Sequence, residues 1–473
     1  MTKPKLLFLN PPGKKVYLRD YFCSKVSQAD YINHPIDFVC LSGWLKGDYD
    51  LSLVDAIVER LSSDACLTKI EHLQPEVIVG LIGSVSYPED IAFYRRLSEK
   101  IRSRLILIGD ILIDSRAERL QELSFADALL HDFSGEDLLN YLDGATGKNP
   151  TLINLTIRKN GSVHEYPIAR PMGEAWELPI PRHELFMNRG YRYPFVRKKK
   201  FATILTEFGC PYLCTFCIMS TLGWKIRSVH NVMDELKFLH ALGVRELFFL
   251  DQTFGIQKGR ACELLEEMAN FNEKFGWVCF SRPDIVDNHL LALMKKAGCH
   301  TIILGLESGS DNILKSVKKG YDKQAVGRGF QLCRKHGIRT VATILIGLPE
   351  ETEVTFADTL KFLREVDPDF ASFNVAVPRM DTPLRDNALE LGLIDSEFEV
   401  MDQSGGSVAM PSLTLTRQQI AAMKRQAIKE FYLNSSYVGA RLKQLTLGHT
   451  DAWSDLRIQM RQGLSLLRNY FST

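Results

Sequence analysis

Short apolar runs alternate with amphipathic helical patterns along most of this chain, and that alternation restricts it to folds built on parallel sheets. In the first block, residues 5–9, 51–54, 76–82, 105–108 and 126–130 read as strands buried on both faces. Residues 55–61, 88–100 and 115–123 read as helices between them. This predicts an α/β, doubly wound sheet of flavodoxin-like or Rossmann type over residues 1–145, with ligands outside the strands' carboxyl ends. Those ends carry Asn10-Pro11-Pro12-Gly13, Asp55, Gly83-Ser84-Val85-Ser86, Gly109-Asp110 and the turn through Gly135-Glu136. Neither G-x-G-x-x-G nor a Walker sequence occurs, which weakens a nicotinamide or P-loop reading.

Residues 146–195 are irregular and proline-rich, which suits a linker. Alternation resumes over 196–390. Strand patterns fall at 202–205, 246–250, 277–281, 301–304, 339–346 and 370–377, with helical patterns at 231–242, 258–271, 289–297, 323–336 and 353–365. Such βα units predict a partial (β/α)6 barrel of TIM type, whose active site lies at the strands' carboxyl ends. Residues 391–473 read as a helical C-terminal domain. Thr416 and Gln419 form a capping box for a helix reaching about residue 433. Beyond it, Arg441, Lys443, Arg457, Arg461 and Arg468 mix with Leu442, Leu445, Trp453 and Phe471 in an amphipathic pattern. That stripe packs onto a core or touches a membrane surface or a lipid-like substrate.

Just after the first barrel strand comes Glu207-Phe208-Gly209-Cys210-Pro211-Tyr212-Leu213-Cys214-Thr215-Phe216-Cys217. Three thiolates this close can hold three corners of an iron–sulfur cube and leave the fourth iron open for chemistry. A zinc site needs a fourth ligand. His230 is one candidate, but no second Cys/His knuckle is present. The other cysteines are dispersed through apolar stretches, which suits buried thiols in a reducing, cytoplasmic setting. Cys279 and Cys299 fall near strand ends. A net charge of +1 gives no global reason to expect nucleic acid.

On these residues the chain resembles the radical S-adenosylmethionine (SAM) superfamily, and within it the subgroup with an N-terminal cobalamin-binding-type domain. Its cluster motif is C-x3-C-x2-C with an aromatic, here Phe216, before the last cysteine. Further matching stretches follow in order: Arg227-Ser228 ahead of Glu235, then Asp251-Gln252-Thr253-Phe254, Ser281-Arg282-Pro283-Asp284, Gly305 to Ser310 including Glu307, Ser308 and Gly309, Ile346-Gly347-Leu348-Pro349, and Pro378 to Leu384. The resemblance implies a [4Fe-4S] cluster held by Cys210, Cys214 and Cys217, with SAM on the open iron. Phe216 would lie near the adenine. Glu307 could accept hydrogen bonds from the ribose or amino group of SAM, and Ile346 and Gly347 could hold the adenine. Arg282 could pair with the SAM carboxylate or the substrate, or form a structural salt bridge. Asp251 could bind substrate or cap the next helix. The implied reaction is one-electron cleavage of SAM to a 5′-deoxyadenosyl radical, with the electron drawn from a flavodoxin or ferredoxin type of donor.

For the N-terminal domain the resemblance implies cobalamin contacts at Asn10, Pro11, Asp55, Ser84, Ser86, Gly109, Gly135 and Glu136. Where D-x-H-x-x-G would supply an axial histidine, the matching segment reads Asp55 to Arg60, with Ile57 in place of the histidine. Asp110 stands where a second glycine is usual. The leading expectation is cobalamin-dependent methylation of an unactivated carbon, or a phosphorus, of a small or lipid-like metabolite. The alternatives are a radical cyclisation, rearrangement or oxidation without methyl transfer, and a non-catalytic B12 or redox sensor. A methylthiotransferase acting on RNA fits poorly.

Overall fold

In a computed structural model, the described residues are 3–21, 24–27, 31–113, 116–144, 151–187, 189–271, 274–397, 402, 404, 407–435, 437 and 439. The amphipathic stripe beyond residue 440 lies outside them. They form two compact units. One comprises Met1–Ser27, Ile32–Tyr191 and Thr221–Leu242; the other comprises Gln28–Tyr31, Arg192–Ser220 and Gly243–Thr473. Among the described residues no helix is long and apolar enough to cross a membrane.

The first unit is built on a seven-stranded sheet. Its order is Asp50–Asp55, Lys5–Asn10, Val77–Leu81, Arg104–Ile108, Ala128–Leu130, Leu155–Lys159 and Ser162–Glu165. The first five strands are parallel, as the doubly wound reading expects. Leu6, Leu7, Phe8 and Leu9 are wholly buried, which explains why the strand reads as an unbroken apolar run. The last two strands are antiparallel and come from the segment expected to be a linker. Strand Met172–Trp176, from the same segment, pairs in parallel with Trp224–Arg227.

Two helix assignments change. Residues 56–60 form turns rather than a helix. Arg60 adopts φ +56°, which ends any helical run, and the helix is Ser63–Leu73 with the Ser62 hydroxyl capping Ala65 N–H at 3.2 Å. Helix Ile36–Leu45 was not anticipated. Nearly every residue in it is buried, so it has no polar face to mark its period.

The order in which the strands are connected reverses beside Lys5–Asn10, and the carboxyl ends there are filled by a polar network. Arg19 and Asp90 are both buried and meet at 2.7 Å. Arg19 also donates to Asn10 Oδ1, Ser86 Oγ and the carbonyls of Pro11 and Pro12, while Asp90 accepts from Gly83 N–H and Ser86 Oγ. Burial of Asp90 outweighs Arg19 and raises its pKa. Such a pair contributes little net stability while intact, yet removing one partner strands a buried charge. Asp90→Ala is therefore expected to destabilise the fold by about 3–5 kcal/mol, read as a lowered urea midpoint with an unchanged m-value.

The second unit is a six-stranded, all-parallel sheet in chain order: Ala202–Ile204, Glu246–Phe249, Gly276–Ser281, Cys299–Glu307, Arg339–Ile346 and Phe370–Val375. This is the sequential order of a partial barrel. Helices Lys258–Asn270, Asn288–Lys296, Lys323–Lys335 and Glu353–Val366 connect its strands. Asp287 and Asp322 cap two of them through Leu290 N–H and Ala325 N–H, each at 2.8 Å. The core holds Trp277, fully buried against Phe249 and Phe254, with its indole N–H on Ala297 O at 2.9 Å. Helix Arg417–Tyr432 carries the expected capping box and packs on the last two strands.

Candidate functional site

The cysteine loop leaves strand Glu207–Gly209 at the carboxyl side of the barrel sheet. Asp251, at the end of the next barrel strand, braces its start. The carboxylate is fully buried and accepts from Thr206 N–H and Thr206 Oγ1, both at 2.6 Å, and from Glu207 N–H at 3.1 Å. Asp251 does not cap the next helix, which begins at Lys258; its carboxylate is held instead by three donors at the start of the loop. It is a positioning residue. The loop's far side is tied by Thr215 N–H to Val317 O at 3.1 Å and by Leu384 N–H to Thr215 O at 2.9 Å. Cys214 is buried, and Cys210 and Cys217 are partly so. Burial raises the Cys210 thiol and pushes Cys217 up to about 12. Iron must displace those protons to bind.

Opposite the loop, strand Cys299–Glu307 ends in a bulge. Its register against Arg339–Ile346 shifts between Gly305 and Glu307. Glu307 takes φ +59°, a left-handed conformation costing about 1–3 kcal/mol for a side-chain-bearing residue. The turn lays its carboxylate over Gly305, where an added Cβ would fall 2.5 Å from Glu307 Oε1. Oε1 accepts from Lys319 Nζ at 2.8 Å, and both side chains are buried. Burial opposes the Lys319 charge, but Glu307 together with Tyr321 and Cys214 outweighs it and holds the ammonium well above its usual pKa.

Aromatic residues of the loop face these cations. Lys319 Nζ stands 5.3 Å from the centre of the Phe216 ring. Arg282 lies 3.6 Å from the Tyr212 ring centre and 4.8 Å from that of Tyr321. Arg282 is bound to Asp284 at 2.9 Å and to Lys319 O at 2.8 Å. Of its sequence alternatives, the structural salt bridge is the one observed. Lys319, Tyr212 and Tyr321 were missed by sequence reading. Lys319 follows the Gly305–Ser310 stretch and a short helix, Asp311–Ser316, so no strand end marks it.

Ser308 and Gly309 turn away from the strand, with Gly309 N–H on Thr359 Oγ1 at 2.9 Å. Ile346 is buried, and Gly347 takes φ +86° with its N–H on Glu351. An added Cβ at Gly347 would meet Ile420 of the C-terminal helix at 3.0 Å. Cys279 and Cys299 are core thiols, and His230 is exposed and paired with Asp234.

In the first unit, the residues expected to touch cobalamin are bound to one another. Asn10 Nδ2 donates to Asp55 at 3.0 Å, and Asp55 also accepts from Val58 N–H and Tyr191 OH. Ser24 and Ser84 each give an N–H and a hydroxyl to Asp110. Gly109 lets its backbone pass Ile82, whose carbonyl oxygen lies 1.6 Å from where a Cβ would be. Asn10, Asp55, Ser84 and Ser86 thus hold these polar atoms on one another and on neighbouring side chains. Pro11 gives its carbonyl to Arg19, and Gly135 and Glu136 precede helix Asp137–Gly144. Arg227 and His183 both bind Glu235, and Ser228 caps the helix Val229–Ala241.

Residues 204–363 match the family model described as the radical SAM superfamily. Over those residues the chain carries a radical SAM domain. It is 27% identical over 412 residues to an uncharacterized methyltransferase of Pyrococcus horikoshii, covering 84% of this chain and 88% of the relative. It is 25% identical over 425 residues to the anaerobic magnesium-protoporphyrin IX monomethyl ester cyclase of Rubrivivax gelatinosus, covering 84% and 73%. Two solved radical SAM structures share the fold. One is the methyltransferase TsrM of Kitasatospora setae with cobalamin and a [4Fe-4S] cluster bound, at TM-score 0.65 and 17% identity, covering 83% of this chain and 75% of that one. The other is the cobalamin-dependent enzyme OxsB with aqua-cobalamin and SAM bound, at TM-score 0.69 and 13% identity, covering 98% and 72%.

The radical SAM domain fits its cluster. Among the described residues no three His, Cys, Asp or Glu side chains converge on one metal ion. A four-iron cube instead takes each cysteine on a separate iron. Beside the turn at Gly347, burial raises the Glu351 carboxyl to about 7. The folded state then holds a proton that the unfolded state releases above its ordinary value near 4.5, so stability falls as pH rises through that window. Glu351→Gln removes the penalty. Its thermal stability relative to the native chain is expected to be similar near pH 4 and higher at pH 8, by on the order of 2–3 kcal/mol.

Proposed function

We propose that this radical SAM enzyme is a cobalamin-dependent methyltransferase acting on a small or lipid-like molecule. The observation that carries the reading is the braced cysteine loop facing the buried Lys319–Glu307 pair at the carboxyl ends of a parallel barrel. Cys210, Cys214 and Cys217 would hold the cluster. In Glu307, Oε1 is taken by Lys319 and Oε2 accepts no hydrogen bond among the described residues, which leaves it for the SAM ammonium. Lys319 offers a cation for the SAM carboxylate, and the turn at Gly347 offers backbone for the adenine. When bound, the cluster supplies one-electron cleavage of SAM, and cobalamin carries the methyl group.

The first unit supports the cobalamin part. Asp37 is fully buried at the start of helix Ile36–Leu45, beside the backbone of Tyr21, and burial holds its pKa well above the usual range. His131, just after strand Ala128–Leu130, is likewise buried, and burial lowers its pKa to about 3. Tyr21 links the two regions, with its hydroxyl on His131 O. Neither side chain is paired with an opposite charge, and cobalamin's amide arms could add hydrogen bonds to them. The polar network at Asn10, Asp55, Ser84, Ser86 and Asp110 would then be the scaffold beneath.

Radical chemistry without methyl transfer is the second reading, and the likeness to the cyclase favours it. Product counting after anaerobic cluster reconstitution separates the two. Methylation yields S-adenosylhomocysteine beside 5′-deoxyadenosine, whereas cyclisation or oxidation yields the latter alone. Hydroxocobalamin retained near one equivalent after desalting is expected; none retained removes the cobalamin part of the proposal. Cys214→Ala should lose most bound iron and bring SAM cleavage to background, measured by iron assay and chromatography.

A further inference from the structure

We propose that Lys319 is an electrostatic positioning residue for the cluster, whose buried ammonium compensates the charge added when the cluster is reduced. The inference rests on the cluster reading above. Three thiolates leave an oxidised four-iron core net negative, and each added electron deepens that charge. A fixed cation nearby, in a poorly solvated site, favours the reduced form.

The geometry places such a cation. Lys319 Nζ sits 5.3 Å from the centre of Phe216, the residue before Cys217. Two residues upstream of Lys319, the Val317 carbonyl accepts the N–H of Thr215, inside the cysteine loop. The Lys319 backbone is held by Arg282, which donates to Lys319 O at 2.8 Å, and by left-handed residues on either side, Lys318 at φ +52° and Gly320 at φ +77°. Nothing in the packing of a barrel requires a buried lysine here. Apolar side chains at both positions would spare the desolvation cost of the Lys319–Glu307 pair.

The pair also makes the sign of the effect testable. Glu307 Oε1, at 2.8 Å, partly offsets the ammonium. Removing the cation exposes the cluster to Glu307; removing the anion leaves Lys319 unopposed. The two substitutions should therefore move the reduction potential in opposite directions, which a merely structural role would not produce.

The test is a redox titration of the cluster-loaded full chain without SAM, monitored by electron paramagnetic resonance, with dithionite as the one-electron source. Lys319→Met is expected to shift the midpoint to more negative potential and Glu307→Gln to more positive potential. Lys319→Arg should remain near the native value. Iron-loaded variants that titrate at the native midpoint, or that both shift the same way, overturn the proposal. If Lys319→Met does not hold iron, Glu307→Gln decides alone: a positive shift supports the proposal and an unshifted midpoint overturns it. A native chain that takes up no cluster overturns the cluster reading itself, and this inference with it, whereas a loaded chain with unshifted variants overturns only the inference.

Discussion

A lysine and a glutamate buried within 2.8 Å of each other can keep their charges only as a pair, and the barrel's working end is arranged around that constraint. Glu307 reaches its partner because the fourth strand bulges and turns left-handed over a glycine. Lys319 reaches back because its neighbours adopt left-handed backbone and Arg282 grips its carbonyl. The cysteine loop is then fixed from two sides, by the Asp251 brace at its start and by backbone bonds to Val317 and Leu384 near its end. Strain at the bulge is tolerable because each of these contacts independently demands the same conformation.

The first unit solves a different problem with similar means. Its strand ends meet at the switch point of a doubly wound sheet, where a ligand is expected. There the chain spends most of its polar atoms on itself. Asp110 collects donors from Ser24 and Ser84, and Asp90 collects Arg19, Gly83 and Ser86. Asp37 and His131 are buried outside this network, without an opposite charge beside them. The contrast between a saturated scaffold and two lightly partnered groups separates residues that shape the surface from residues that could contact something on it.

Much of this was legible in the sequence. Buried parallel strands announce themselves as apolar runs, and the cysteine triplet stands out by its spacing, while Phe216, Glu307 and Gly347 were singled out by the family resemblance. What sequence reading missed has identifiable causes. Helix Ile36–Leu45 is buried on all sides and so shows no amphipathic period. The strands at 155–159 and 162–165 lie in a segment whose prolines suggest a linker. Asp251 and Asp55 sit at strand ends, as ligand-binding carboxylates do, but their oxygens are filled by neighbours that only the folded chain brings near. Lys319 is distant from any strand end in sequence, and its importance depends on a bulge that sequence patterning does not encode.

The residues that match the family model stop at 363, before the last barrel strand. Arg339–Ile346 pairs with Phe370–Val375 along its length, and helix Arg417–Tyr432 then lies across both. Cut at that boundary, the sheet would end in a long, apolar, unpaired edge, the kind of surface on which chains join to one another. The matched segment is therefore a stretch of sequence rather than a folding unit, because its last strand is completed by residues beyond it.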